Sequence, residues 1–252
     1  MGKSCSGLLA ALLCATTVTA AAQAVPIVQV GVDSANPPFM YGSSTMARGL
    51  YPGLLAAAFA EMGEPVMITA LPWKRVILAV DDGQAGAAGI YRNAERAKKY
   101  DFSEPIFVER IGVYYNSKKP VAFRSIADLH GLRVGVIMGW SYGDAFDQAR
   151  LGGKFSVEAV PSDLQNLGKL ELSRIDVALM IVDAAPVVLA NKGVQTVLRC
   201  ERLLAENATY LAFNKGNKRA ALLDKFNAAM GELRASGAYA AIVARELAPP
   251  AN

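Results

Sequence analysis

Short apolar runs alternate along this chain with stretches in which apolar residues recur every three or four positions. The short runs predict buried β-strands, and the longer stretches predict amphipathic helices. A helix predicted over residues 52–63 illustrates the second pattern. Its apolar face collects Leu54, Leu55, Ala58, Phe59 and Met62. Gly63 ends this helix, because glycine readily adopts the left-handed conformation that closes many helices.

Predicted strands and helices follow one another with short connections. The strands lie at residues 27–32, 66–71, 85–90, 133–138, 155–160, 176–182 and 209–214. The helices lie at residues 52–63, 73–80, 94–100, 142–149, 162–173, 183–191 and, as a long tail, 218–247. Repeated β-α-β units favour mostly parallel sheets flanked by helices. The Lys118-Lys119-Pro120 break separates two such series, which predicts two α/β lobes.

The start of the chain has the parts of a cleavable secretory signal. Lys3 supplies the charged start, residues 8–18 form an apolar core too short to span a membrane, and Ala22-Gln23-Ala24 is a typical cleavage site. We therefore predict a signal peptide over residues 1–24 and export to the periplasm. No other apolar run in the sequence reaches membrane-spanning length.

Composition excludes several classes of function. The formal net charge is only +4 and no basic stripe with interleaved aromatic residues occurs, so nucleic acid is not an expected partner. Cys5 and Cys14 leave with the signal, so Cys200 has no partner for an internal disulfide. The single histidine, His130, argues against ordinary zinc sites. No glycine-rich nucleotide-binding loop occurs, and we expect neither a metal nor a cofactor.

Residues 83–105, GQAGAAGIYRNAERAKKYDFSEP, contain the strongest candidate for binding chemistry. A predicted strand leads through a turn into a short helix, in which Asn93 is the predicted N-cap and Arg96 lies in the first turn. A cation there is unfavourable unless an anion is close, because the helix N-terminus already carries partial positive charge. An arginine beside free backbone N–H groups makes a site for a carboxylate or a phosphate. The alternative is a solvated arginine on a polar helix.

Three motifs resemble those of the bacterial extracellular solute-binding proteins of family 3. They are V-x-x-D…P-P-F at residues 30–39, E-R…D-F-S-x-P at residues 95–105 and YLAFNKGN at residues 210–217. Members of this family are periplasmic receptors for polar amino acids and related solutes that serve ABC transporters. The resemblance covers nearly the whole mature chain and implies an α/β, two-lobed periplasmic-binding-protein type II fold. It also implies a monomer that delivers a small organic acid or amino acid to an inner-membrane ABC permease.

The same resemblance implies that two strands cross between the lobes, near residues 107–115 and 209–214. Lobe 1 then comprises residues 25–112 and 209–252, and lobe 2 comprises residues 113–208. A ligand of such a protein lies in the cleft between the lobes, beyond the carboxyl ends of the strands, and hinge closure buries it. A buried amino acid needs a cation for its carboxylate and an acid for its ammonium group, since unpaired buried charges are costly.

Family resemblance also implies a set of ligand-binding residues. By motif position they are Asp33, Asn36, Trp73, Gly89, Tyr91, Arg96, Trp140, Ser141, Tyr142 and Asp183. Arg96 is expected to hold the carboxylate of the ligand with help from Ser141. Trp73 is expected either to cover the ligand or to pack in the core. Asp183 is expected either to pair with an ammonium group or to cap the helix that follows it.

Three positions depart from the pattern of the family. Tyr91 stands where serine or threonine is usual, and Trp140 is larger than the usual residue. A specificity therefore cannot be copied from better-known relatives. Gly86 stands where aspartate is common, and we interpret this glycine as structural.

The main hypothesis is a binding protein without catalysis. Its alternatives are two kinds of enzyme and a ligand-sensing receptor. Residues 139–143 spell G-x-S-x-G, the nucleophile elbow of α/β-hydrolases, but the only histidine, His130, precedes Ser141 instead of following it. Cyclohexadienyl dehydratases use the same two-lobed fold and need a general acid in the cleft. The nearby carboxylates are Glu95, Glu104 and Glu109, and no pattern singles out one of them. A ligand-sensing receptor that is not coupled to transport is the remaining alternative.

Overall fold

The computed structural model describes residues 26–248 together with Met1 and Gly2. The predicted signal peptide, apart from those two residues, and the last four residues lie outside the described part of the chain. Among the described residues, no helix combines the length and the apolar character that crossing a membrane requires.

The elements alternate much as the periodicity predicts. The strands are β1 Val28–Asp33, β2 Ala35–Asn36, β3 Met40–Ser43, β4 Met46–Arg48, β5 Val66–Leu71, β6 Gly86–Tyr91, β7 Tyr100–Phe102, β8 Phe107–Asn116, β9 Arg133–Ile137, β10 Ser156–Val160, β11 Val177–Ile181 and β12 Val197–Asn214. The helices are α1 Leu50–Glu61, α2 Trp73–Asp81, α3 Ala94–Lys99, α4 Asp144–Leu151, α5 Asp163–Glu171, α6 Ala185–Lys192, α7 Ala220–Ala235 and α8 Ala238–Glu246.

One mixed sheet runs through the molecule in the strand order β10-β9-β11-β8-β12-β6-β1-β5. β1 pairs in parallel with β5 and β6, and β9 pairs in parallel with β10 and β11. Between these two parallel groups, β8 and β12 pair with each other antiparallel, from Phe107 opposite Thr209 to Asn116 opposite Val197. The two parallel groups with their helices are the lobes of an α/β fold, and the expected crossing strands are β8 and β12.

The carboxyl-terminal helices return to the first lobe. α7 and α8 pack on α1, in which Leu54, Leu55, Ala58 and Phe59 are fully buried. The rings of Phe59 and Phe226 lie 6.0 Å apart. Burial of one such ring contributes about 2 kcal/mol to the free energy of unfolding. The apolar stripe predicted for α1 is therefore confirmed as the face that contacts the carboxyl-terminal helices.

Three parts of the fold differ from the sequence-based prediction. β12 begins at Val197, twelve residues before the predicted strand, and residues 35–48 form an additional small antiparallel sheet. The predicted tail helix is divided at Gly237, which has a φ of 80° and separates α7 from α8. Glycine adopts this left-handed conformation without the steric cost that other residues incur, so the chain turns there.

Gly86 leaves no room for a side chain. A Cβ atom at this position would lie 2.5 Å from the ring of Phe213, which packs against the strand from β12. The aspartate that is common in the family at this position cannot fit beside that ring. The interpretation of Gly86 as structural is therefore confirmed.

Candidate ligand-binding site

The site begins at the carboxyl ends of β6 and β9, which face each other from the two lobes. The side chain of Asn93 accepts a hydrogen bond from the backbone N–H of Arg96 at 2.8 Å, which confirms Asn93 as the N-cap of α3. This cap turns the chain back, so that the Arg96 guanidinium reaches across the cleft. Nη1 donates to the carbonyl of Tyr91 at 2.9 Å, and Nη2 donates to the carbonyl of Gly139 on the other lobe at 3.3 Å.

The Arg96 guanidinium therefore points into the cleft and not into bulk solvent. Burial lowers its pKa, although the pKa of arginine starts so high that the group stays a cation. Within residues 26–248, no carboxylate lies within ion-pair distance of it. Arg96 is half-buried, and its guanidinium donates to two carbonyl groups, so a partly desolvated cation is available here to an anion.

Six of the predicted site residues line one small cavity around this guanidinium. They are Trp73, Gly89, Tyr91, Arg96, Trp140 and Ser141. The cavity volume is about 10 Å³, which is room for about one water molecule and far less than an amino acid needs. A wider, open groove of about 800 Å³ lies elsewhere, between residues 115–124 and residues 199–202, and none of the predicted site residues lines it.

Direct contacts between the lobes close the cleft around the cavity. Trp140 Nε1 donates to Asp33 Oδ2 at 3.1 Å, and Asn93 Nδ2 donates to Ser141 Oγ at 3.1 Å. The rings of Tyr91 and Trp140 meet edge to face, with centroids 6.3 Å apart. These bonds and this ring contact join the two lobes across the cleft.

Polar atoms in the cleft include several that lack a partner. Asp33 is buried, and its Oδ1 accepts from the backbone N–H of Ala35 at 3.0 Å. Its burial raises the pKa of the carboxyl. Asn36 Nδ2 and Trp73 Nε1 are buried without a hydrogen-bond acceptor among the described residues. Buried polar groups are nearly always hydrogen-bonded, so these donors are candidates for polar contacts with a ligand.

Polar groups of the loop after β9 form hydrogen bonds partly with neighbouring residues of the same segment. Ser141 Oγ donates to the carboxylate of Asp147 and accepts from Asn93. The hydroxyl of Tyr142 accepts from the backbone N–H of Ile137 at 2.9 Å, so its ring supports the loop from behind. None of these contacts involves His130, so the serine of the G-x-S-x-G sequence has no histidine beside it to act as the base of a hydrolase.

Asp183 lies in an ion pair with Arg110, with Oδ1 2.7 Å from Nη2. The N-cap of α6 is Ala184, and no side chain caps that helix end. Interpretation of Asp183 as a helix cap is therefore wrong. Its role as an ammonium partner stays a prediction, and its carboxylate is already paired.

Two carboxyl groups that no sequence pattern singles out are buried in the fold, although neither lines the cavity. Asp163, the first residue of α5, is 6% exposed, and its Oδ1 accepts no hydrogen bond. Glu109, on β8, is 1% exposed and accepts hydrogen bonds from the hydroxyls of Tyr51 and Tyr91. Burial raises the pKa of each carboxyl to about 7. No local sequence pattern reveals burial of this kind. From the sequence alone, Asp163 looks like an ordinary acidic residue in the first turn of a helix.

A two-lobed α/β fold with a cationic side chain in the cleft is the arrangement of type II periplasmic binding proteins. Residues 28–247 match the profile of the bacterial extracellular solute-binding proteins, family 3, and the chain belongs to that family. The resemblance inferred from the three motifs is thereby confirmed.

Sequence and structure comparisons agree with this assignment. The chain is 24% identical over 216 residues to the L-cystine-binding protein TcyJ of Escherichia coli (strain K12), covering 84% of this chain and 79% of that protein. A histidine kinase sensor domain with similarity to periplasmic binding proteins superposes with a TM-score of 0.77 at 22% identity, over 88% of this chain and 96% of that one. An ancestral arginine-binding protein bound to glutamine gives a TM-score of 0.73 at 23% identity, over 87% and 96% of the two chains.

Proposed function

We propose that this protein is a periplasmic receptor that captures a small amino-acid-like solute by hinge closure and passes it to an ABC permease without chemical change. The observation that carries the proposal is the half-buried Arg96 guanidinium, which lies between the lobes with two carbonyl partners and, among residues 26–248, no carboxylate within ion-pair distance. A ligand carboxylate would form charge-assisted, bidentate hydrogen bonds with it. Family membership and the cystine-binding relative support an amino acid as the ligand.

The neighbouring side chains supply the remaining contacts of this proposal. Trp73 and Tyr91 offer aromatic walls, and Ser141 offers a hydroxyl beside the guanidinium. Asp33, at the end of β1, offers a carboxylate for the ammonium group of the ligand. Binding of an amino acid by both ends would satisfy the buried charges on the protein and on the ligand together.

Hinge closure is supported by the small cavity and by the crossing strands. The volume between the lobes is too small for an amino acid, so the lobes must separate before one can enter. We assign lobe 1 to residues 25–112 and 209–252 and lobe 2 to residues 113–208, with the hinge in β8 and β12. Two long paired strands can twist at a few residues while each lobe moves as a unit.

Periplasmic delivery to a permease rests on the family and on the predicted signal peptide. A second candidate function is ligand sensing without transport, which the structural likeness to a histidine kinase sensor domain favours. Both functions use the same capture step. Pull-down of an ABC permease from detergent-solubilised membranes, with ligand present, would distinguish transport from sensing.

The dehydratase alternative has a specific difficulty. Glu109 has the raised pKa that a general acid needs, but both of its oxygens accept hydrogen bonds from tyrosine hydroxyls and it does not line the cavity. A proton donor must lie within hydrogen-bond reach of its substrate. Prolonged incubation of the purified protein with prephenate and arogenate should leave both unchanged.

The test of the proposed function is a thermal-shift screen of amino acids against wild type, Arg96→Ala and Arg92→Ala. Arg92 is exposed and lies four residues away, so it serves as the matched control. We expect at least one amino acid to raise the Tm of wild type and of Arg92→Ala, and Arg96→Ala to lose at least about 100-fold in affinity. Undiminished binding by a folded Arg96→Ala variant would remove the central assignment.

A further inference from the structure

Tyr91 contacts three different parts of the candidate site. Its carbonyl accepts a hydrogen bond from Arg96 Nη1 at 2.9 Å. Tyr91 also lines the cavity, and its ring meets that of Trp140 on the other lobe edge to face, with centroids 6.3 Å apart. Its hydroxyl donates a hydrogen bond to Glu109, which does not line the cavity. Tyr91 therefore connects the cavity with a carboxyl group in the interior of the protein.

Glu109 is a fixed partner for this hydroxyl. It is buried on β8, and its other oxygen accepts a hydrogen bond from the hydroxyl of Tyr51. Tyr51 is fully buried on α1, and its ring stacks on that of Phe39 with centroids 5.9 Å apart. If the ring of Tyr91 swung aside, the hydroxyl and one oxygen of Glu109 would lose their hydrogen bond, which is costly for buried polar groups. The carboxyl group therefore holds this ring by its hydroxyl end.

The backbone that carries Tyr91 is confined as well. Gly89, two residues earlier on β6, has a φ of 73°. A Cβ atom there would lie 2.7 Å from the ring of Tyr51 and 3.0 Å from Met40 Sδ, so the strand packs directly on these two side chains. Buried groups thus hold both the strand beneath Tyr91 and the far end of its side chain.

We infer that Glu109 is a positioning residue that holds the Tyr91 ring as a fixed wall of the cleft, so that the site selects amino acids with short side chains. This inference rests on the proposed function, in which Arg96 holds the carboxylate of the ligand. Glu109 itself does not touch the ligand. It acts through the Tyr91 hydroxyl, and the ring then limits the length of side chain that fits.

The walls of the cavity explain this selection. Its aromatic residues are Trp73, Tyr91 and Trp140, and the volume between the lobes is about 10 Å³. A long side chain would have to displace the Tyr91 ring from Glu109 or hold the lobes apart. Holding them apart would break the ring contact of Tyr91 with Trp140 and the hydrogen bond from Trp140 to Asp33. A short side chain, as in alanine or serine, requires less of either change.

The competing explanation is that Glu109 and its two tyrosines only stabilise the fold. A matched pair of variants separates the two explanations. Tyr91→Phe and Tyr51→Phe each keep a ring and remove one hydroxyl from the same carboxyl group, but only Tyr91 lines the cavity. A purely structural role predicts the same ligand selectivity for both variants, whereas a positioning role predicts a change in Tyr91→Phe alone.

Isothermal titration calorimetry at pH 7 with L-alanine, L-serine, L-glutamine and L-methionine tests the inference. Wild type and Tyr51→Phe should bind the two short amino acids at least about 10-fold more tightly than the two long ones. Tyr91→Phe should reduce this preference to less than about 3-fold, because its ring is no longer held. Circular dichroism checks that each variant is folded.

Two substitutions of Glu109 add a test by rescue. Glu109→Leu removes both hydrogen-bond acceptors and should lose the preference as Tyr91→Phe does. Glu109→Gln keeps one acceptor and adds a donor, so it can still bond to both hydroxyls and should retain the preference of wild type. If Glu109→Leu does not fold, the two tyrosine variants decide the outcome.

The outcomes separate the inference from the function on which it rests. Equal affinity of wild type for short and long amino acids, or an unchanged preference in Tyr91→Phe, overturns the inference and leaves the proposed function intact. If no amino acid binds, the proposed function fails, and the fluorescence of Trp140 decides the positioning role. Trp140 is the only tryptophan in a Trp73→Phe background. A shift of its emission on adding Tyr91→Phe but not Tyr51→Phe supports the role, and equal emission in both overturns it.

Discussion

At the scale of single residues, burial separates side chains that are alike in the sequence. Glu95 is fully exposed beside Lys98, which lowers the pKa of its carboxyl, whereas burial raises the pKa of Glu109 to about 7. Glu109 is held by the hydroxyls of Tyr51 and Tyr91, and Tyr91 lines the ligand cavity. The unusual tyrosine at position 91 therefore joins the cavity to a carboxyl group on the crossing strand β8.

Glu109 should make the free energy of unfolding depend on pH. Its pKa is higher in the folded protein than its ordinary value of 4.5, so the folded state favours the protonated carboxyl. The stabilisation is complete below about pH 4.5 and is lost as the pH rises through about 7, by up to roughly 3 kcal/mol. Glu109→Gln cannot titrate and should flatten this part of the profile in urea unfolding between pH 5 and pH 8.

Asp163 titrates in the same range, so the comparison needs a further variant. Asp163→Asn should remove a separate part of the pH dependence of the free energy of unfolding. The double variant should remove the contributions of both carboxyl groups. An unchanged slope in Glu109→Gln, with Asp163 intact, would show that the carboxyl of Glu109 does not titrate near pH 7.

At the scale of elements, one carboxylate holds the edge of the second lobe together. Asp176, just before β11, accepts hydrogen bonds from the backbone N–H of Arg133, from its Nε at 3.0 Å and from its Nη2 at 3.1 Å. Lys119 adds an ion pair at 2.5 Å. These contacts hold the start of β9 and the segment after β8 beside β11. Because these hydrogen bonds and charges favour the ionised form, the pKa of Asp176 lies well below its usual range.

Asp176→Asn should lower the free energy of unfolding by roughly 1–3 kcal/mol at pH 7, because a buried acceptor of several charged donors is weakened. The sign of the pH dependence is opposite to that of Glu109. The stabilisation is present above about pH 4 and is lost as the pH falls, so the difference from wild type should shrink in acid. Urea unfolding at pH 7 and pH 3 measures both effects.

Glu64→Gln provides the control for this variant. Glu64 pairs with Lys225 at 2.7 Å on the surface, and exposed pairs of this kind contribute at most about 1 kcal/mol. A loss from Asp176→Asn no larger than that from Glu64→Gln would contradict a structural role for Asp176.

At the scale of the whole molecule, the lobes are closed by a few polar bonds across the cleft. The hydrogen bond from Trp140 to Asp33 joins two side chains and is the most buried of these bonds. Asn93 to Ser141 and the backbone N–H of Ala94 to Asp144 add two more, each at 3.1 Å. Because hydrogen bonds contribute only about 1 kcal/mol each, these bonds are weak enough to allow the hinge opening that we propose.

Trp140→Phe should shift the protein without ligand toward an open arrangement. An aromatic ring is kept, although a smaller one, and the N–H that reaches Asp33 is lost. We expect a larger radius of gyration by small-angle X-ray scattering, and a return to the wild-type value when ligand binds. The sequence has two tryptophans, so in this variant the fluorescence of Trp73 alone reports closure. Identical scattering curves for variant and wild type would rule out a role for this bond in closure.

Much of the fold and part of the site could be predicted because they depend on neighbours in the chain. The apolar stripe of α1, the cap at Asn93 and the turn that aims Arg96 all arise within a few residues. Family motifs then supplied Trp73, Gly89, Tyr91, Trp140 and Ser141, which together with Arg96 line the cavity. Helical periodicity and capping are short-range effects, so their signal survives in the bare sequence.

Other features depend on residues far apart in the chain and became visible only in the folded structure. The first half of β12 pairs with β8 through two register shifts, and its apolar residues do not alternate with the period of two that marks a strand. Asp163 is buried although it opens a helix, and Glu109 is covered by Tyr51 and Tyr91, which are distant from it in the sequence. Local patterns determined which elements form and where Arg96 points. Long-range packing decided which carboxyl groups leave water. The desolvation of a carboxyl group depends on all the residues packed around it in the fold and not only on its neighbours in the sequence.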